Sequence, residues 1–186
     1  VKVAVMGIGN PNIANWDVPE NWKGIYFAGV VETYKHYEAE MKAQADLIVL
    51  VSHSGIDGDP ENSDFIRELV STTNSIDLVF SGHEHRNGVT MIANTDGKEI
   101  PVISPGTKAG VVGRALFTYN KATKTYTVEA ANAPMTVREG RTTKPLYEPE
   151  PELTAALQPY EDATWNEYML QSLGTASDNF TASGLG

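Results

Sequence analysis

The chain has 186 residues and a formal charge of −10, from 14 Lys and Arg against 24 Asp and Glu. The charge is uneven: the first 144 residues carry −3, and residues 145–186 carry −7 with no base at all. This excludes a basic clamp for nucleic-acid polymers, which needs clustered Lys and Arg, and it argues against a polybasic membrane anchor. Small phosphorylated substrates stay open, because a metal ion can hold them without a basic surface. A hydrophobic content of 41 % reads as globular. No apolar run approaches the roughly 20 residues of a membrane span. The absence of cysteine excludes disulfides, thiolate–zinc sites and a thiol nucleophile. The sequence starts at Val1, inside an apolar run and without an initiator Met or signal peptide, which is expected of a piece of a longer chain.

Residues 1–8 form a near-continuous apolar run that ends at Gly7-Ile8-Gly9-Asn10-Pro11, and read as a buried strand followed by a loop. Residues 12–27 are loop-like and rich in aromatics, with core packing the expected role of Trp16 and Trp22, and shaping the entrance of a site, with Asn12, the lesser alternative. Val30, Val31, Tyr34, Tyr37, Glu38 and Met41 recur at helical spacing and predict a helix over 30–44. A second buried strand follows at 46–52, a helix at 61–71 and a third buried strand at 76–81. Apolar strands alternating with helices indicate a parallel sheet with right-handed crossovers, covered on both faces.

The period changes from Val89 onward. Runs at 89–93, 100–103, 111–119 and 125–131 are joined by Asn94-Thr95-Asp96-Gly97 and Asn120-Lys121-Ala122-Thr123, and read as antiparallel hairpins. The expected fold is therefore α/β, a parallel βαβαβ unit followed by an antiparallel β-meander. Residues 139–151 read as a polar linker. An amphipathic helix follows through Leu153, Leu157, Tyr160 and Trp165, with Pro151 in its first turn and a kink or restart at Pro159. The last residues are small and Gly-rich. The organisation expected is a half-domain over 1–145, a linker helix over 146–171 and the start of a further domain over 172–186.

Three of the four histidines fall just past the C-terminal ends of strands, where parallel sheets place ligands. His53 follows the second strand in Ser52-His53-Ser54-Gly55. His83 and His85 follow the third in Gly82-His83-Glu84-His85. One crossover joins those strands, so their tips bring three imidazoles to one edge. Neutral imidazole suits Zn, Mn, Fe or Ni. Gly82 is expected to let the backbone turn sharply there. His36, on the first helix, reads as surface. Asp57-Gly58-Asp59-Pro60-Glu61-Asn62 reads as an exposed loop feeding a helix N-terminus rather than a calcium loop. Arg86 reads as surface, with phosphate contact the lesser alternative. Residues 104–110 read as a Gly-rich turn at the rim of the site. Asn179-Phe180-Thr181 has the form of a glycosylation sequon.

The pairing of His53-Ser54-Gly55 after one strand with Gly82-His83-Glu84-His85 after the next resembles the calcineurin-like metallophosphoesterases. Asn15-Trp16-Asp17 in the first loop and the acidic amphipathic linker are similar to the bacterial 5′-nucleotidase and 2′,3′-cyclic-nucleotide 2′-phosphodiesterase branch. The resemblance covers nearly the whole chain. It implies a partial metallophosphoesterase sandwich with a C-terminal linker helix. It also implies two divalent ions (Zn, Mn, Fe or Ca) about 3–4 Å apart that activate a hydroxide for in-line attack on phosphorus. His53 and His83 would bind one ion and His85 the other.

The family's Asp-x-His motif, bridging Asp and Asn-His pair have no counterpart in this sequence, so the piece alone is expected to be inactive or nearly so. The implied substrate is a nucleotide or other phosphate ester, and the implied location is extracellular, cell wall or periplasmic. Two alternatives stand beside this reading. One is a hydrolase of other specificity, such as a general phosphomonoesterase or a sulfur-ester hydrolase. The other is a non-catalytic half-domain that binds a metal or self-associates through its exposed sheet edge.

Overall fold

A computed structural model describes residues 1–57 and 65–175. The chain divides into two compact units, Val1–Leu146 and Tyr147–Gly186. The first unit opens with β1 (Val3–Ile8), a single helical turn α1 (Ile13–Trp16), α2 (Val30–Gln44), β2 (Leu47–Ser52), α3 (Ile66–Ser71) and β3 (Leu78–Ser81). Strands β4 (Asn87–Ala93), β5 (Glu99–Pro105), β6 (Val111–Asn120), β7 (Thr125–Pro134), β8 (Thr136–Glu139) and β9 (Thr142–Pro145) complete it. The helix expected over 61–71 is seen from Ile66. Its first residues, the loop beyond Asp57 and the sequon at Asn179 lie outside the described residues.

Five strands form one sheet in the order β1-β2-β3-β5-β4. The pairs β1–β2, β2–β3 and β3–β5 are parallel, and β4 returns antiparallel along β5. Asn94 makes that return: its Oδ1 accepts from the N–H groups of Asp96 and Lys98, both at 2.9 Å. Strands β6 and β7 form a separate hairpin. It packs on the sheet so closely that a Cβ on Gly113 would lie 2.7 Å from Ile103 Cγ2, which leaves room only for glycine. A two-stranded hairpin, β8–β9, occupies 136–145, so the linker expected from residue 139 starts later than its polar composition suggests.

The two faces of the sheet are covered unequally: the cover expected on both holds at β3 and β5, where the β6–β7 hairpin packs on Ile103, but not over β1 and β2. Helices α2 and α3 bury one face. Val30, Tyr34, Ile66, Leu69 and Val70 pack there with Ile48, Leu50, Val79 and Val102. On the opposite face Val3 and Val5 are half exposed or more, and Val51 beside them is 49 % exposed. Strand β1 is also an edge. The carbonyls of Lys2 and Ile8 accept from Asp46, Leu47 and His53 of the neighbouring strand. The alternation of a strand then turns the N–H and C=O groups of Val3, Val5 and Gly7 toward the open side. Apolar residues on both faces of a strand do not distinguish a face covered within this chain from one left open.

Beneath the covered face lies a polar network. Tyr34 Oη and Ser75 Oγ are 2.7 Å apart, and Ser75 Oγ donates to Glu38 Oε1 at 2.6 Å. Thr73 donates to the same carboxylate oxygen. Burial pushes the Tyr34 hydroxyl up to about 12. Burial works to raise Glu38, but the hydrogen bonds from Ser75 and Thr73, together with the charges of Lys42 and Lys35, outweigh it and hold the carboxyl below its ordinary value of 4.5. A depressed carboxyl stabilises the fold above its unfolded pKa, and that contribution fades as pH falls through the folded value. Wild type is expected to be more stable than Glu38→Gln near neutrality. Thermal unfolding followed between about pH 6 and pH 3 should show that gap closing on the acid side.

In the second unit α4 (Pro151–Ala163) starts as expected, with Pro151 in its first turn. The Glu150 carboxylate caps it, accepting from the N–H of Glu152 at 3.1 Å and from that of Leu153. Pro159 does not restart the helix. The α-helical stretch runs through it to Ala163, and the departure comes later, as a π-helical turn over Thr164–Met169. Among the described residues no helix is long and apolar enough to cross a membrane.

Candidate functional site

Strands β1, β2 and β3 end level with one another. Ile8 pairs with Ser52, and Ser52 with Ser81. Each is followed by a loop, and the loops after β2 and β3 carry His53 and His83. Gly82 N–H donates to Ser52 O at 2.9 Å, carrying the pairing one step past the strands. Ser81 Oγ donates to the Ser54 carbonyl at 2.7 Å, and Ile56 N–H donates to Glu84 Oε2 at 3.1 Å. These three bonds tie the His53 loop to the His83 loop.

The close approach explains Gly82 differently from the sharp turn expected. A Cβ there would stand 3.2 Å from His53 Nδ1 and 3.5 Å from the Ser52 carbonyl oxygen. The unusual backbone belongs to the histidines themselves: φ is 78° at His83 and 57° at His85. Left-handed φ at residues other than glycine costs of order 1 kcal/mol or more each, and it collects at functional sites.

The structure brings two of the three histidines together. The rings of His53 and His83 lie 5.4 Å apart between centroids, one edge toward the other at 70°. Trp16 stacks on His83 at 5.0 Å, with the planes 8° apart. His85 is exposed and makes no ring contact with either. Trp16, expected in the core, is instead 51 % exposed. His36 is exposed on α2, against Tyr37.

Around the pair, Asp57 is held below the usual carboxylate range, first by the hydrogen bond from Arg67 and then by Arg86. Arg86 lies 3.5 Å from Asp57 and 3.8 Å from Glu84. Its carbonyl accepts from Gly106 N–H at 2.8 Å, which sets residues 106–110 beside the histidine loops.

Two buried polar atoms at the same strand tips, Asn10 Nδ2 and Ser52 Oγ, lack a partner among the described residues. So does Ser104 Oγ at the end of β5. No described hydrogen bond or ion pair engages the ring nitrogens of His53 or His83, and neutral imidazole is of the chemistry that ligates divalent metals. Among the described residues no group of three His, Asp or Glu stands ready to hold an ion, so the ligand set is incomplete here.

Sequence reasoning missed Glu84 as part of this site and held Trp16 only as the lesser alternative, a residue at the entrance. Glu84 was visible between two histidines, but its bond to Ile56 N–H depends on how the loops meet. Trp16 was visible in Asn15-Trp16-Asp17, with nothing to show which ring it covers.

No protein-family profile matches the chain. It is 28 % identical over 195 residues to the 2′,3′-cyclic-nucleotide 2′-phosphodiesterase/3′-nucleotidase of Haemophilus influenzae, covering 96 % of this chain and 29 % of that protein. Over 90 residues it is 33 % identical to the trifunctional nucleotide phosphoesterase YfkN of Bacillus subtilis, covering 46 % of this chain and 6 % of that one. The chain thus spans less than a third of the length of these curated relatives. The solved calcineurin-like phosphoesterase structure of Bacillus subtilis YfkN superposes with a TM-score of 0.69 at 24 % identity, over 92 % of this chain and 54 % of that one. A 5′-nucleotidase precursor from Thermus thermophilus shares the fold at a TM-score of 0.62 and 18 % identity, over 87 % of this chain and 32 % of that one. The chain is thus similar in sequence to the 2′,3′-cyclic-nucleotide 2′-phosphodiesterase/3′-nucleotidases and shares the α/β fold of the solved calcineurin-like phosphoesterase YfkN.

Proposed function

We propose that the chain is the second half of the catalytic domain of a metal-dependent phosphoesterase acting on nucleotides. The activity proposed is that of a 2′,3′-cyclic-nucleotide 2′-phosphodiesterase and nucleotidase. The observation that carries this reading is the meeting of His53 and His83 at the level tips of two adjacent parallel strands. We assign His53 and His83 to one metal ion and His85 to a second. The metals supply an activated water and positive charge for the phosphoryl group when bound. The chain's own part is to hold the imidazoles in place through Gly82, Glu84 and the Ser81–Ser54 bond.

Because the ligand set is incomplete, the 186-residue chain by itself is expected to be inactive or nearly so. Residues 1–145 form the half-domain in this reading, 146–171 the linker helix, and 172–186 the start of a further domain. Its place is outside the cytoplasm: extracellular, in the cell wall or in the periplasm.

The test is hydrolysis by the full-length protein, supplied in turn with Zn²⁺ or Mn²⁺, of 2′,3′-cyclic AMP, 3′-AMP, 5′-AMP and a plain aryl phosphate. Cyclic AMP and 3′-AMP should be preferred. Turnover of the aryl phosphate alone would replace the nucleotide reading with a general phosphomonoesterase.

A second reading has one observation in its favour: the open backbone edge at Val3, Val5 and Gly7, beside the exposed valine face. An edge of this kind pairs readily with another strand, so the chain by itself is suited to self-association. Sedimentation of the 186-residue chain at increasing concentration measures it, and a monomer throughout would dismiss it.

A further inference from the structure

We propose that Trp16 is a positioning residue that fixes the plane of the His83 imidazole. The inference rests on the metal assignment of His83 made above.

Three strand-tip loops meet at this point. The β1 loop contributes Trp16, the β2 loop His53 and the β3 loop His83. Trp16 is the last residue of α1, whose turn closes by Asp17 N–H donating to the Ile13 carbonyl at 3.0 Å. Beyond it Asp17 fastens the loop. Its carboxylate accepts from Val18 N–H and from Asn21 Nδ2, both at 2.7 Å, and its carbonyl accepts from Trp22 Nε1 at 3.3 Å. The indole is thus delivered by a braced loop, with its ring 8° from parallel to His83.

His83 needs such a support. No described hydrogen bond orients its ring, and its backbone sits at φ 78° in a loop rather than in a strand. Rotation about the bond to an imidazole is broad and weakly restrained by itself. A metal ligand of this kind is usually oriented by a partner to its second nitrogen. Here a stacked indole covers one face instead. The stack allows the ring only to stay in one plane, and both nitrogens stay in it. Offset-stacked aromatic pairs contribute beyond the area they bury, so the ring meets an ion already ordered. An indole half exposed to solvent has no comparable packing role: burial does not explain Trp16, and contact with His83 does.

The experiment uses the 186-residue chain and two variants, Trp16→Ala and Trp16→Phe. Proton–carbon NMR reads the His83 ring signals, assigned by their loss in His83→Asn, and calorimetry reads Zn²⁺ binding. In Trp16→Ala the His83 ring signals should move as the ring current is lost, while the other histidines hold still. Zn²⁺ binding should weaken about 3- to 10-fold. Trp16→Phe, which keeps a flat ring, should recover most of that loss.

His83 signals unmoved by Trp16→Ala would overturn the proposal, and so would moved signals with unchanged Zn²⁺ affinity. Failure of the wild-type chain to bind Zn²⁺ would sink the metal assignment and the positioning role with it. The NMR signals separate that failure from absence of the stack, because they need no metal.

Discussion

Leu50→Ala is expected to destabilise the first unit by about 2–5 kcal/mol, and its neighbour Val51→Ala by about 0.5 kcal/mol or less. The two residues are adjacent on the central part of β2 and both are aliphatic. Leu50 is fully buried among Val30, Tyr34 and Val79 under the helices, whereas Val51 is 49 % exposed on the opposite face. Removing Leu50 loses the transfer free energy of its methyl groups and leaves a cavity that rigid neighbours fill only in part. Removing Val51 exposes little that was not already wet. For a chain of this size the first change should lower the melting temperature by about 4–20 °C and the second by a degree or two. A polar probe sharpens the contrast: Val51→Thr should melt close to wild type. Equal losses at Leu50 and Val51 would mean that the valine face is covered in solution, by another copy or by another part of the protein.

That pair of residues also marks the limit of what the sequence reveals. The parallel core, the helix over Val30–Gln44 and both hairpins were legible from periodicity and turn residues. An apolar run such as Leu47–Val51 shows that both faces of a strand suit an apolar environment. It is silent on which of them this stretch of chain covers. The site divides in the same way. His53 and His83 were legible because strand ends in parallel sheets are where ligands gather. The reason for Gly82 was not, since it lies in a contact between loops 29 residues apart in sequence. The left-handed backbone of His83 and His85 was not legible either, because a non-glycine residue seldom adopts it and the sequence carries no glycine there to announce it. At Pro159 the sequence left a kink and a restart as alternatives, and the restart does not occur, since α4 continues through it to Ala163.

The largest functional effect is expected at the two adjoining histidines. In the full-length protein, His53→Ala and His83→Asn should each reduce turnover of bis-p-nitrophenyl phosphate more than about 100-fold, because loss of a residue that merely supports a metal ligand already costs 10- to 100-fold. Asparagine is the right replacement at His83. It tolerates the left-handed backbone that alanine would strain, so the variant removes the imidazole without disturbing the loop. His53 is exposed and can be truncated without opening the core. His36→Ala is the control: it removes an exposed imidazole from α2 and should leave turnover unchanged. Metal content measured on the same samples separates two ways of failing. Lost turnover with lost metal is the expected pair. Lost turnover with metal retained would move the histidines from ligands to groups acting on the phosphate itself, and full turnover in His83→Asn would remove the strand-tip pair from the chemistry altogether. Because the described ligand set is incomplete, the same two substitutions in the 186-residue chain should change Zn²⁺ binding and leave no hydrolysis to lose. Under the proposed function, Zn²⁺ binding without turnover in the 186-residue chain and loss of hydrolysis on replacing the same two imidazoles in the full-length protein are expected together.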